Sequence, residues 1–395
     1  MFEYFSDNYI WNLAVSGTLY NGGLIGEVDE ACRPIREIAR RGGDAGTAEF
    51  FAAWSAVADR LVSLATEDEA NGRDLSAGEK YRRAALYLLN AERMQSIHAP
   101  NRRQHYERAI AMHHRAMRLA RDPVEIIEIP YGAGRLPAYF MPAQTANGSP
   151  APVVVQWNGF DSFKEQMLGC RFPHELARRG VSTLMVDQPG TGGALRLFDL
   201  PATPDSELAG TACLEYLLGR EDIDPDRIGI VGWSLGGYYA PRAAAFEERF
   251  ALCVAWGANH NWGEMQRRRV AREGENPVPH YWDHALWVWG QTSMADFEKL
   301  WDRINLDGVV ERIRVPFLIT HGAADRQIPV EYAHRSFEQA VNSPQRELKI
   351  FTKREGGVEH VHLDDMTNAV HFIADWVSEA FHPHRNETAD EARAV

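Results

Sequence analysis

A serine set between glycines, then an aspartate, then a histidine, in that chain order, define the chemistry this sequence could do. Gly232-Trp233-Ser234-Leu235-Gly236 is a G-x-S-x-G pattern. Alone the pattern is weak. Here the apolar run Arg227 to Val231 precedes it and the helix-compatible Gly237-Tyr238-Tyr239-Ala240 follows, the strand-turn-helix that a nucleophile elbow needs. A serine hydroxyl is a poor nucleophile near neutrality, so an imidazole must take its proton and a carboxylate must orient that imidazole. Asp325 lies just past the apolar run ending His321-Gly322, where the C-terminal end of a parallel strand would hold it in the crevice above the sheet. Two histidines compete for the base, His360 and His362, in the stretch Gly356-Gly357-Val358-Glu359-His360-Val361-His362. His360 is preferred because it directly ends the glycine-containing loop. His321 is expected to be a buried support for the Asp325 loop rather than a base.

That constellation would perform acyl transfer to water. The oxyanion it creates needs two backbone N–H groups. Leu235, after the nucleophile, would supply one, and the loop Asn158-Gly159-Phe160-Asp161 the other, from Phe160 or its neighbour Asp161. Asp161 and Lys164 could order that loop. Further candidate substrate contacts are Asp161, Trp233, Trp262, Trp282, His362 and Glu264, the last an extra carboxylate near a strand end.

Elements to position these groups are readable from periodicity. Residues 1–120 read as an all-helical domain: the stretch opened by Thr47 repeats Phe50, Trp54, Val57, Leu61 and Leu64 at helical spacing, Val28 to Arg41 stops at Gly42-Gly43, and Gly78–Met94 and Arg102–Leu119 follow. Residues 121–382 read as an α/β domain. Two strands flank a glycine turn near 123–142, and VVVQW, STLMVD, RIGIVGW, ALCVAWG, VPFLITHG and LKIFTK alternate with helical stretches, the signature of a mostly parallel sheet. A helical insertion at about 258–312 could form a lid, since six of the eleven tryptophans, from Trp256 to Trp301, fall between the end of one strand and the start of the next. Residues 383–395 read as a flexible tail. The apolar helix faces of residues 1–120 must be covered either by the α/β domain or by a second copy, and the reading leans to a homodimer.

Composition excludes other chemistries. A formal net charge of -13 argues against a nucleic-acid partner. Cys32, Cys170, Cys213 and Cys253 form no C-x-x-C pair, so neither a zinc site nor a disulfide framework is expected, and the proposed chemistry needs no cofactor. The first residues carry acids where a signal peptide needs bases, and no long apolar run could span a bilayer, so a cytoplasmic protein acting on a small molecule is expected.

Ser234 with its flanking glycines and the upstream Asp224-Pro225-Asp226-Arg227-Ile228-Gly229-Ile230 resembles the α/β-hydrolases. The wider pattern, with Asn158-Gly159, Asp161-Ser162, Lys164-Glu165, Asp187-Gln188-Pro189-Gly190 and Gly356-Gly357 before Glu359-His360, is similar to the group of 2,6-dihydroxypseudooxynicotine hydrolases and fermentation-respiration-switch esterases. That resemblance implies Ser234 as nucleophile, Asp325 as acid and His360 as base. It also implies either an ester bond or a carbon–carbon bond next to a ketone as the target, in an aromatic or polyketide-like compound. The rivals are a thioesterase or acyltransferase using the same groups, and a scaffold that has kept the fold without the chemistry.

Overall fold

A computed structural model describes residues 1–144, 148–272 and 275–382; the expected tail at 383–395 lies outside the described residues. Eight strands form one sheet: β1 (Glu125–Tyr131), β2 (Gly134–Met141), β3 (Ala151–Trp157), β4 (Ser182–Val186), β5 (Ile223–Trp233), β6 (Leu252–Trp256), β7 (Phe317–Gly322) and β8 (Arg346–Phe351). Their order is β1-β2-β4-β3-β5-β6-β7-β8, antiparallel through β1, β2 and β4 and parallel from there on. The inner strands β3, β4, β6 and β7 are buried at every residue, as strands covered on both faces must be, whereas edge strand β1 alternates. Alternation along β3 sends Val153 and Val155 into the core on one face and Val154 into the core on the other. Register pairs Trp157 with Gly232 and Trp233 with Trp256, so the C-terminal ends of the central strands finish level with the elbow.

Before the sheet come α1 (Tyr9–Tyr20), α2 (Ile25–Cys32), α3 (Arg36–Ala39), α4 (Thr47–Ala70), α5 (Asp74–Arg93) and α6 (Arg102–Ala120). The single helix expected over Val28–Arg41 is broken. A 3-10 turn at Arg33–Ile35 separates α2 from α3, because Pro34 has no N–H to give the helical ladder. In α4 the buried stripe runs Phe50, Trp54, Val57, Leu61 and then Ala65, while Leu64 is 37% exposed and leaves it.

The parallel strands are connected by α7 (Lys164–Gly169), α8 (Phe172–Arg178), α9 (Gly192–Phe198), α10 (Glu207–Leu218) and α11 (Gly236–Phe246). The insertion between β6 and β7 is helical, with α12 (Trp262–Val270), α13 (Tyr281–Val288) and α14 (Met294–Trp301), and the chain continues through α15 (Glu331–Gln339) to α16 (Met366–Phe381). None of the described helices is long and apolar enough to cross a membrane.

Helices α1–α6 dock on the sheet unit. Glu92 of α5 accepts from Arg102 of α6 at 2.7 Å and from Arg196 of α9 at 2.9 and 3.1 Å, and all three side chains are buried. Tyr20 meets Thr367 of α16 at 2.9 Å, and Gln327 donates to the Tyr9 hydroxyl at 2.9 Å. Part of the apolar helix faces is thus covered within the chain, while Leu24, Ile25 and Leu75 stay exposed.

Candidate active site

At the end of β5 the backbone turns sharply. Ser234 has φ 58°, a left-handed conformation that costs a non-glycine residue about 1–3 kcal/mol and persists only where its surroundings hold it. They do: Ser234 N–H donates to Trp256 O at 2.9 Å on the neighbouring strand, and Gly237 N–H returns to Ser234 O at 2.8 Å. The turn closes only with glycine at 232, where a Cβ would sit 2.1 Å from Gly236 O.

The Ser234 Oγ lies 2.8 Å from His360 Nε2, and His360 Nδ1 lies 2.9 Å from Asp325 Oδ2. An ionised carboxylate can only accept, so Nδ1 carries the ring proton and Nε2 is left to accept from the serine hydroxyl. Asp325 follows β7, and its Oδ1 is anchored by the N–H groups of Gln327 and Ile328 at 2.8 and 3.0 Å. Burial alone would raise this carboxyl, but the adjacent His360 and these donors hold it at about 2. His321 is buried with its Nε2 donating to Ile328 O at 3.0 Å, beneath the Asp325 turn. Next in sequence to Asp325 and His360, Arg326 and Glu359 pair at 2.9 and 3.1 Å and tie the two loops together.

His362 points elsewhere. Its Nδ1 donates to Gly357 O at 2.7 Å, it packs 4.4 Å from the Phe351 ring, and burial pushes its pKa down to about 4. It does not line the cavity at Ser234; it braces the loop that carries His360.

Beside the serine runs the loop after β3. Gly159 is required there by close approach: a Cβ would come within 2.8 Å of the Ser234 Cβ. Gly159 N–H and Trp233 Nε1 both donate to Ser162 Oγ, at 3.1 and 3.0 Å, while Ser162 donates to Asn158 Oδ1 at 3.0 Å. The N–H groups of Phe160 and Leu235 have no protein acceptor among the described residues, which leaves both able to receive a developing oxyanion. Lys164, buried, pairs with Glu165 at 2.7 Å and with Asp187 at 3.2 Å, fixing the far end of this loop to the β4 end.

A cavity of about 80 Å³ opens over Ser234, His360 and Gly159, walled by Trp233, Asp161, Val361 and Met366. Three expected contacts lie outside it. Trp262 is buried in the insertion, 5.3 Å from Trp289 and 5.9 Å from Phe160; Trp282 packs on Tyr281 and Trp301; Glu264 is held by Arg268 at 2.6 Å and Arg335 at 3.6 Å. The two tryptophans pack within the insertion and the carboxylate is already neutralised, so the packing of the insertion takes all three away from the cavity. Through Trp262, Tyr281 and His284 the insertion instead grips the Phe160 ring, 5.9, 5.4 and 4.9 Å away.

Sequence reasoning did not find the cavity's other wall. Leu13, Gly17 and Asn21 come from α1 and its C-cap, and Arg93 from the end of α5. Arg93 donates to Asp161 Oδ2 at 2.5 Å and to Pro277 O at 3.2 Å, so a helix of the N-terminal segment clamps the loop beside Ser234. A signal existed: Asn90, Glu92 and Arg93 interrupt the apolar face of α5 and are nevertheless buried. Buried polar residues on an otherwise apolar face mark a partner elsewhere. Among the described residues no cluster of His, Cys, Asp and Glu could hold a metal ion.

The model for the prolyl oligopeptidase family matches residues 174–384, and that for FrsA-like esterases matches residues 58–261. The chain is 28% identical to Hydrolase LUC6 of Fusarium sp, over 87% of this chain and 90% of that protein. It is 26% identical to 2,6-dihydropseudooxynicotine hydrolase of Paenarthrobacter nicotinovorans, over 78% of each chain. A crystal structure of 2,6-dihydroxy-pseudo-oxynicotine hydrolase has the same fold, with a TM-score of 0.74 over 93% of this chain and 96% of that one, at 24% identity.

Proposed function

The chain belongs to the prolyl oligopeptidase family and to the FrsA-like esterase family, and is a hydrolase of the α/β-hydrolase fold; from that membership we propose that it cleaves a carbonyl compound through an acyl-enzyme on Ser234. The observation that carries this reading is the unbroken relay from Ser234 Oγ to His360 at 2.8 Å and from His360 to Asp325 at 2.9 Å, opening on a cavity. Ser234 Oγ attacks the carbonyl carbon while its proton passes to His360 Nε2. The N–H groups of Phe160 and Leu235 stabilise the oxyanion. As the bond to the leaving group breaks, His360 returns the proton to that group, an alkoxide from an ester or a carbanion from a carbon–carbon bond next to a ketone. Water, deprotonated by the same imidazole, then releases the acid and restores the serine. Asp325 accepts from Nδ1–H throughout and stabilises the imidazolium.

The substrate class is a small aromatic or polyketide-like acyl compound. Support comes from the apolar wall of Trp233, Leu13 and Met366 and from the relative named for hydrolysing 2,6-dihydropseudooxynicotine. The test is turnover of an aryl acetate and of an aryl 1,3-diketone, with products identified by mass. At least one is hydrolysed by the wild-type chain, and Ser234→Ala loses that activity by roughly 10³-fold or more. Undiminished turnover by Ser234→Ala would contradict the proposal; which substrate is cleaved assigns the bond.

A further inference from the structure

Among the described residues that line the cavity over Ser234, Arg93 alone carries a fixed positive charge. Its side chain keeps only 9% of its surface accessible. Two of the three guanidinium nitrogens are committed: Nε donates to Asp161 Oδ2 at 2.5 Å and Nη2 to Pro277 O at 3.2 Å, which holds the plane of the group from two sides. The third, Nη1, has no acceptor among the described residues and is not fully enclosed.

An arginine held in this way is a prepared donor. The guanidinium stays charged at any working pH, and its rigid fork needs no reordering when an acceptor arrives. An oxygen that replaces solvent on Nη1 gains a hydrogen bond to a charged group in a cleft of low dielectric, where such bonds are strong. The guanidinium is also close to the proposed chemistry. Asp161, which it holds, directly follows Phe160, whose N–H is the proposed oxyanion donor. The cavity that Arg93 and Ser234 both line holds about 80 Å³, well below the roughly 300–1,000 Å³ of a cleft that encloses a whole small molecule. It therefore takes the reacting end of a substrate, and an oxygen lying on Nη1 is within a few atoms of the carbonyl at Ser234. Asp161 Oδ1, on the same wall, has no hydrogen-bond donor among the described residues.

Resting on the serine-hydrolase reading above, we infer that Arg93 is a specificity residue: its Nη1 donates to a second oxygen of the substrate, a ketone or a hydroxyl, carried within a few atoms of the carbonyl that Ser234 attacks. A ketone is served by Arg93 alone. A hydroxyl accepts from Arg93 and donates to Asp161. Where the bond broken is carbon–carbon and the ketone lies on the leaving side, the electron pair of that bond moves onto its oxygen as an enolate held by Arg93. The proton that His360 took from Ser234 then goes to the leaving carbon. Helix α5 thus recognises the substrate as well as clamping the loop beside Ser234.

The test uses two matched series of esters. Phenyl butanoate, 3-hydroxybutanoate and 3-oxobutanoate carry the second oxygen on the acyl side; butyl, 2-hydroxybutyl and 2-oxobutyl acetate carry it on the leaving side. For the wild type and for Arg93→Met, kcat/KM of each oxygenated ester is divided by that of the plain ester of its series. Intrinsic reactivity and loss of the clamp on Asp161 cancel in the comparison of these ratios, so a change reports a contact between residue 93 and the second oxygen. In at least one series the ratio falls by about tenfold or more in Arg93→Met, the scale of one hydrogen bond to a charged group. Arg93→Lys keeps a cation beside Asp161 but not the rigid fork, so its ratio moves in the same direction, and it decides the matter if the methionine variant does not fold. Ratios unchanged from the wild type in both series would overturn the inference, leaving Arg93 as a clamp and the serine reading intact. A wild-type chain that turns over none of these esters would remove both.

Discussion

Two glycines and two histidines carry much of the residue-scale account. Gly159 lets the loop beside Ser234 approach so closely that a methyl group would collide with the Ser234 Cβ. Gly159→Ala is therefore expected to lower kcat by about 10- to 100-fold, the effect of displacing an oxyanion donor by a fraction of an ångström. The variant should still unfold in one cooperative transition above the assay temperature; a folded variant with undiminished kcat would show that the close approach does not matter. The histidines were separable in sequence only by resemblance and by position in a loop. Two residues apart, one reaches Ser234 and the other turns back to Gly357 O, because Val361 and His362 both take left-handed backbone angles, φ 43° and 65°. No spacing rule encodes that reversal. Trp262, Trp282 and Glu264 lie outside the lining of the cavity at Ser234, and the tryptophans' placement was not legible for a similar reason: residue type says that a tryptophan is buried, not against what.

At the scale of elements, the strands and the elbow were legible because their signals are local: apolar runs bounded by turns, and glycines around a serine. What joins the N-terminal helices to the site was not, since Arg93 and Asp161 stand 68 positions apart and meet only through packing. Arg93→Met should lower kcat/KM for an aryl ester by about tenfold, because Asp161 is left without its cation and the loop it belongs to loses its clamp. Unchanged kinetics in this variant would mean that α5 merely sits near the site. Glu92 tests docking rather than catalysis. Buried between Arg102 and Arg196, its carboxyl would be raised by burial were it not held down by the two guanidinium groups. Glu92→Gln leaves two cations facing a neutral amide, at a cost of about 3–5 kcal/mol, seen as a lower urea midpoint. A variant as stable as the wild type would show that water reaches this cluster.

For the molecule as a whole, its buried imidazoles set how stability depends on pH. Burial pushes His113 down to about 3 and His362 to about 4, so both are neutral when folded and take up protons on unfolding below their ordinary value near 6.5. The unfolded state then binds more protons, and stability, complete above about pH 6.5, falls as pH drops toward 4. Between pH 7 and 5 each of these two groups should remove roughly 1–2 kcal/mol. Calorimetry at the two pH values checks this, with His362→Gln reducing the difference; a flat profile would contradict the neutral, buried assignment. Asp325, held at about 2, stays ionised over that range and so contributes no acid loss of activity there. The claim on which everything else rests is that Ser234 is a nucleophile activated by His360. Its most direct test is the intact mass of the chain after incubation with a fluorophosphonate, for the wild type, Ser234→Ala, His360→Ala and His362→Ala. The account predicts one adduct per wild-type chain, none in Ser234→Ala, strongly slowed labelling in His360→Ala, and an adduct still formed in His362→Ala. An unlabelled wild-type chain, or labelling that survives in Ser234→Ala, would contradict it.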